Sequence, residues 1–180
     1  TLMTMEHARR YPILTIACGP TNSIRGASFL TQEKDAVVVD IGGTTTDVGV
    51  LAHGFPRESG VAVTIGGVRT NFRMPDVVSI GLGGGSIVRV ADDGSVTVGP
   101  DSVGYAITER ALVFGGDTMT ATDIAVRLGM ASVGDPSLVA DISQDVAERA
   151  MAVMRAMVED AIDVMKVSSD PIDVVLVGGG

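Results

Sequence analysis

The sequence predicts an α/β domain in which a mixed sheet carries helices on its faces. Three observations lead there. Two apolar runs, Ala36-Val37-Val38-Val39-Asp40-Ile41 and Ile172-Asp173-Val174-Val175-Leu176-Val177, read as strands, the first of them central. Between them, a long stretch up to about Val167 carries apolar side chains at helical spacing. The 23 glycines gather at the ends of strand-like runs, where α/β proteins place their ligands.

In chain order, residues 5–10 read as the end of a helix, and Ile13-Leu14-Thr15-Ile16-Ala17-Cys18 as a short buried strand. Gly19-Pro20-Thr21-Asn22-Ser23 then opens a helix to about Leu30. Proline suits a first turn, and the neighbouring polar side chains can cap free N–H groups. After the central strand, Asp47-Val48-Gly49-Val50-Leu51 returns as its hairpin partner. Val61-Ala62-Val63-Thr64-Ile65 is a third strand. Residues 76–82 and 86–91 flank Gly83-Gly84-Gly85, and Asp92-Asp93-Gly94 turns into Val96-Thr97-Val98 as a small hairpin. Residues 99–116 have no clear period and read as a long functional loop or an irregular insertion. Thr120 to Met130 forms a helix. Ser143 caps the longer one, whose expected buried stripe is Val146, Ala150, Val153, Met157, Ala161 and Met165.

The 180 residues suffice for one domain with a good core, or one domain and part of another. Hydrophobic residues make up 46% but aromatics only 3%, so the core is built from Val, Ile, Ala, Leu and Met. A formal net charge of -9 repels phosphate backbones, and no nucleic-acid partner is expected. A single cysteine excludes an internal disulfide and a cysteine-based zinc site, which fits a reducing, cytoplasmic setting. No apolar run approaches the ~20 residues that span a membrane. No signal-peptide pattern opens the chain. Both ends are expected to be cut within a longer polypeptide.

The sharpest signal is Asp40-Ile41-Gly42-Gly43-Thr44-Thr45-Thr46-Asp47. An apolar strand delivers a carboxylate, two glycines, three hydroxyls and a second carboxylate. Glycines let a backbone approach a phosphate and expose consecutive N–H donors. The hydroxyls of Thr44, Thr45 or Thr46 can add hydrogen bonds. Asp40 sits where it can hold a hydrated magnesium ion or orient an attacking group. The alternative, a plain hairpin with a polar tip, has no need of carboxylates at both ends of a threonine run. No Gly-Lys-Ser/Thr follows, so this is not a P-loop. A return strand rather than a helix follows, so it is not a dinucleotide fingerprint.

This segment resembles the second phosphate loop of the actin, sugar-kinase and heat-shock chaperone superfamily. Gly19-Pro20-Thr21-Asn22-Ser23-Ile24-Arg25-Gly26-Ala27 resembles that superfamily's connecting helix. Val174-Val175-Leu176-Val177-Gly178-Gly179-Gly180 resembles its adenosine-contact strand and turn. Within it, the chain resembles the hydantoinase A/oxoprolinase family. The residues that carry this are the Asp40 to Val48 segment, Ile80-Gly81-Leu82-Gly83-Gly84-Gly85-Ser86-Ile87, Val98-Gly99-Pro100-Asp101-Ser102 and Gly115-Gly116-Asp117-Thr118-Met119-Thr120-Ala121-Thr122-Asp123. Two positions depart from the pattern. Tyr105-Ala106-Ile107-Thr108-Glu109-Arg110 replaces a Pro-Gly-Pro-rich segment with a cysteine, and Cys18 stands where serine is usual.

The resemblance implies an actin-like ATPase (ribonuclease H-like) lobe over residues 33–180, ending at the adenosine-contact turn. Residues 1–32 would be the end of a preceding lobe and the connecting helix. It implies ATP and magnesium as cofactors, with Asp40 and Asp47 catalytic and Asp40 reaching magnesium through water. Gly42, Gly43, Thr44, Thr45, Thr46, Gly178, Gly179 and Gly180 would bind nucleotide. Gly84, Gly85, Ser86, Asp117, Thr120 and Asp123 are substrate-side candidates, though a structural turn or a helix cap explains them as well. The implied activity is ATP-dependent ring-opening hydrolysis of cyclic amides or related carbonyl compounds by carbonyl phosphorylation. Its partners would be a small-molecule substrate, a first lobe of the same polypeptide and a hydantoinase B-type subunit. This stretch alone is expected to be inactive. The alternatives are a carboxylase subunit, or a non-catalytic actin-like nucleotide switch or assembly module. Arg69 and Arg73 are cationic candidates in a solvated loop. His7 and His53 read as surface residues, and Cys18 as a small buried one.

Overall fold

The computed structural model describes residues 3–60, 64–65, 67–69 and 74–180. The first half comprises α1 (Met5–Arg10), α2 (Cys18–Thr31), β1 (Ala36–Ile41), β2 (Thr46–Ala52), β3 (Phe55–Pro56), β4 (Thr64–Ile65), β5 (Val68–Arg69) and β6 (Val77–Ile80). The second half comprises β7 (Ser86–Val90), β8 (Val96–Ser102), α3 (Ile107–Arg110), α4 (Ala121–Arg127), α5 (Gln144–Met165) and β9 (Val174–Gly178).

The main sheet is mixed, as the pattern predicts. β1 lies between β2, antiparallel to it, and β9, parallel to it. The far edge of β2 is shared by β6 near the loop and by β3 at the other end. Side chains alternate across a strand, so each strand feeds two cores. Val37, Val39, Val48 and Val50 face α5 through Ala161 and Met165. Ala36, Val38 and Leu51 face α2 through Ile24 and Ala27. Gly49 makes room there, because a Cβ would strike Ile24 Cδ1.

Helix α5 starts where Ser143 Oγ accepts the amide of Val146. Its first half packs Ala147 and Ala150 on the β7–β8 hairpin and on Ile124 of α4. One helix therefore joins the hairpin to the main sheet. The stripe differs slightly from the expected one. Ala147 rather than Val146 is buried, and Val153 and Met157 are half-buried. The small alanines let the helix sit close to the strands.

Two other expectations are corrected. Residues 13–18 form no strand: Pro12–Thr15 is a 3-10 turn and α2 begins at Cys18. Among the described residues no strand pairs with this segment, its large apolar side chains are exposed, and Cys18 is exposed too. Of the two readings of residues 99–116, the open loop is corrected and the irregular segment fits. β8 runs on to Ser102, and short helical turns follow. Of the expected third strand, residues 61–63 lie outside the described residues, as does Arg73. Residues 64–65 pair with 68–69 in a separate small hairpin.

The segment after β8 is ordered by a buried carboxylate. Asp123 completes a capping box with Thr120 at the start of α4. Its oxygens also accept the amides of Val113 at 2.7 Å and Leu112 at 3.3 Å. Replacing Asp123 with Ala leaves several donors without a partner. The expected loss is about 3 kcal/mol of unfolding free energy. Urea denaturation of the variant checks this, and a loss below about 1 kcal/mol contradicts it.

Candidate functional site

The loop 42–45 joins the C-terminal end of β1 to the start of β2. Its carbonyls are held from the protein side. Gly84 N donates to Gly42 O at 3.0 Å, Gly85 N to Gly43 O at 2.7 Å, and Gly180 N to Ile41 O at 2.9 Å. A trans peptide sets its C=O and N–H in opposite directions. Pulling the Gly42 and Gly43 carbonyls inward therefore turns the Gly43 and Thr44 amides outward. Those amides and that of Thr45 donate to no acceptor among the described residues, and all three residues are exposed. Gly42 N closes the turn on Thr45 O at 2.9 Å.

Close approach of two backbones is what the glycines permit. A Cβ on Gly83 would lie 2.5 Å from Gly42 O and 2.6 Å from Thr44 N. Gly178 has φ +104°, and a Cβ there would lie 2.8 Å from Asp40 Oδ1. A Cβ on Gly180 would collide with Gly42 O. Gly179 is exposed and meets nothing within 4 Å.

The two aspartates stand directly opposite each other, since Asp40 pairs with Asp47 in the β1–β2 register. Strand parity puts both on the α2 side of the sheet, in a row with Val177 and Ser79. Asp47 Oδ1 accepts the Ser79 hydroxyl. Asp40 is half-buried, and its carboxylate has no hydrogen bond or ion pair among the described residues. Like charges facing each other across strands are mutually destabilising. A cation or its bound water beside them removes that cost, and one or two carboxylates suit a hydrated magnesium ion. The donor set thus fits this metal.

The remaining candidates fall into two groups. Gly42, Gly43, Thr44, Thr45, Asp40, Asp47 and the Gly178 to Gly180 turn come together at one end of the sheet. The others stand outside that set, and of these Thr46, Gly84, Gly85 and Ser86 brace it from behind. Thr46 is fully buried and donates its hydroxyl to Leu82 O at 2.7 Å, so its side chain points inward and not toward the loop mouth. Ser86 is fully buried, and its Oγ accepts the Gly83 amide at 2.9 Å. The Gly84 and Gly85 amides are used on the loop. Thr120 and Asp123 are fully buried and cap α4. Asp117 is exposed and accepts the Thr118 hydroxyl at 2.8 Å.

Sequence reasoning missed Ser79 and the bracing role of Thr122. Ser79 could be found only from the β2–β6 register. Thr122 donates both its amide and its hydroxyl to Gly84 O, each at 2.9 Å, across 38 positions of sequence. A separate cavity of about 300 Å³ lies at the opposite end of the sheet, between the start of β1 and the end of α5. Arg57, which borders it, is already paired with Asp76 at 2.9 Å and bonded to Met165 O.

Comparison with known proteins accords with this geometry. The hydantoinase/oxoprolinase family (Hydantoinase_A) matches residues 1–176, and the chain belongs to that family. The gamma subunit of acetophenone carboxylase from Aromatoleum aromaticum is 32% identical over 115 residues, 62% of this chain and 16% of that protein. The beta subunit of acetone carboxylase from Xanthobacter autotrophicus is 31% identical over 121 residues, 64% of this chain and 16% of that protein. The chain thus spans 16% of the length of either relative. Among solved structures, ATP-dependent caprolactamase from Pseudomonas jessenii matches with a TM-score of 0.70 at 22% identity, over 89% of this chain and 27% of that one. Nucleotide-free acetone carboxylase matches with a TM-score of 0.56 at 22% identity, over 79% and 23%. The chain shares the fold of these two proteins, a mixed sheet with helices on its faces, as the sequence predicts.

The glycine packing generates a paired prediction. Gly83→Ala drives a Cβ into the loop backbone and costs about 2 kcal/mol. Gly43→Ala, where a Cβ would meet nothing within 4 Å, changes stability by less than about 0.5 kcal/mol. Chemical denaturation of both variants checks the contrast, and equal losses contradict it.

Proposed function

We propose that this chain is the phosphate-gripping lobe of an ATP-dependent enzyme that acts on cyclic amides or related carbonyl compounds. The observation that carries the reading is the outward pair of amides at Gly43 and Thr44, which with that of Thr45 bond to no acceptor among the described residues, beside Asp40, whose carboxylate has no partner among them either. Amides fixed before an anion arrives need little reorganisation, which is the economical way to hold a polyphosphate on an acidic chain. ATP with magnesium would supply the phosphoryl group that activates a carbonyl oxygen. The Gly43 to Thr45 amides and the Thr44 and Thr45 hydroxyls hold the β- and γ-phosphates. Asp40 holds the metal through water, and Asp47 is kept oriented by Ser79. The Gly178 to Gly180 turn begins the adenosine contact. Residues 33–180 form this lobe. Residues 1–32 lead in from another lobe, which accords with the absence of buried residues among 3–16. That lobe supplies the facing wall and a first phosphate loop, so this stretch alone turns over negligibly.

A second reading, ketone carboxylation, is favoured by one specific observation: both sequence relatives are subunits of ketone carboxylases. Both relatives are named as subunits, which supports a partner subunit for this chain; its hydantoinase B type is what the sequence resemblance implies. Both readings use the loop identically and differ in the carbonyl compound.

The experiment is a screen of the full-length protein for ADP release with MgATP. Cyclic amides such as hydantoin, oxoproline and caprolactam are compared with ketones plus bicarbonate. Cyclic amides are expected to stimulate release without bicarbonate, whereas stimulation only by ketone and bicarbonate favours the second reading. Asp40→Asn is expected to lower stimulated kcat by about a hundredfold. A variant within twofold of wild type removes Asp40 from the chemistry.

A further inference from the structure

We propose that Thr122 is a positioning residue that sets the aim of the phosphate loop through two rigid peptide units. The proposal rests on the nucleotide reading above and deepens it. Thr122 lies in the first turn of α4, outside the loop and away from Asp40 in sequence. Helix first turns carry N–H groups with no partner inside the helix. Here the Thr122 amide and its hydroxyl both converge on Gly84 O, each at 2.9 Å. That carbonyl belongs to the same planar unit as the Gly85 N–H, which donates to Gly43 O at 2.7 Å. The Gly43 carbonyl in turn shares its plane with the Thr44 N–H, one of the exposed amides. The series runs from the Thr122 hydroxyl through peptide 84–85 and peptide 43–44 to the Thr44 amide. Because each unit is planar, a tilt imposed at Gly84 is carried to Thr44.

The same series polarises in one direction. Each bond accepted at a carbonyl makes the N–H of that unit a stronger donor. Two donors on Gly84 O therefore strengthen Gly85 N–H, then Thr44 N–H, toward an anion. Gly84 is held from both sides, since a Cβ there would lie 3.1 Å from Thr122 Oγ1 and 3.5 Å from Gly180 Cα. Helix α4 also holds residues 112 and 113 through Asp123. Its first turn thus fixes the phosphate loop and the segment after β8 in one frame. A hydroxyl is the feature needed at position 122; serine keeps it, while valine keeps only the shape.

The test uses the full-length protein and titration calorimetry with MgATP and with AMP. AMP has no β- or γ-phosphate and does not engage the loop. Thr122→Val is expected to weaken MgATP binding about tenfold and to leave AMP binding unchanged. Thr122→Ser is expected to restore wild-type MgATP affinity. Thr122→Ala, which adds no bulk, serves as the second hydroxyl-free variant should valine fail to fold. Equal losses for MgATP and AMP, no loss for either, or failure of serine to restore binding would each overturn the role. A wild-type protein that binds no MgATP instead overturns the nucleotide reading, and the Thr122 role with it.

Discussion

The site depends on a single constraint: the carbonyls of Gly42 and Gly43 are pulled inward by the amides of Gly84 and Gly85. Peptide planarity does the rest. Once those oxygens point into the protein, the following N–H groups have nowhere to point but outward. The anion binding proposed for the loop would thus be a by-product of satisfied hydrogen bonds behind it, not of charge in front of it. That suits a chain of net charge -9, because backbone amides would hold an anion without drawing on lysine or arginine.

The constraint explains the placement of glycine and acid. Backbones that hydrogen-bond this closely leave no volume for Cβ atoms, hence Gly83 against the loop and Gly180 beneath it. The Asp40–Asp47 pair costs stability in the free protein, as like charges across strands do. The rest of the molecule offsets that cost. β1 buries Ala36, Val37, Val38 and Val39 completely between α2 and α5, and α5 extends the same core to the β7–β8 hairpin. The end of the sheet that carries the loop is therefore anchored by its most buried strand.

Much of this was legible in the sequence. The strand that carries Asp40, the glycine turn, the return through Asp47 and the late strand into three glycines are local patterns, and each appears at its expected place. The parallel pairing of β9 with β1 and the sharing of β2 by two strands are long-range facts that no local period encodes. Residues 13–18 misled because an apolar run reads alike whether or not a neighbouring strand exists to pair with it. Gly84, Gly85, Ser86, Thr120 and Asp123 stood out as chemically suggestive types, but suggestive residue types also build braces. Only the partners of their polar atoms separate the two uses. Thr122 was obscured by its neighbours, because a threonine in a first helical turn has an ordinary capping explanation.

The most direct measurement is a crystal structure of the full-length protein with magnesium and a non-hydrolysable ATP analogue. Phosphate oxygens are expected within hydrogen-bond distance of the Gly43 and Thr44 amides, with the Gly84 and Gly85 bonds to the loop intact. Nucleotide bound elsewhere, or those amides turned to protein acceptors while nucleotide is present, would contradict it.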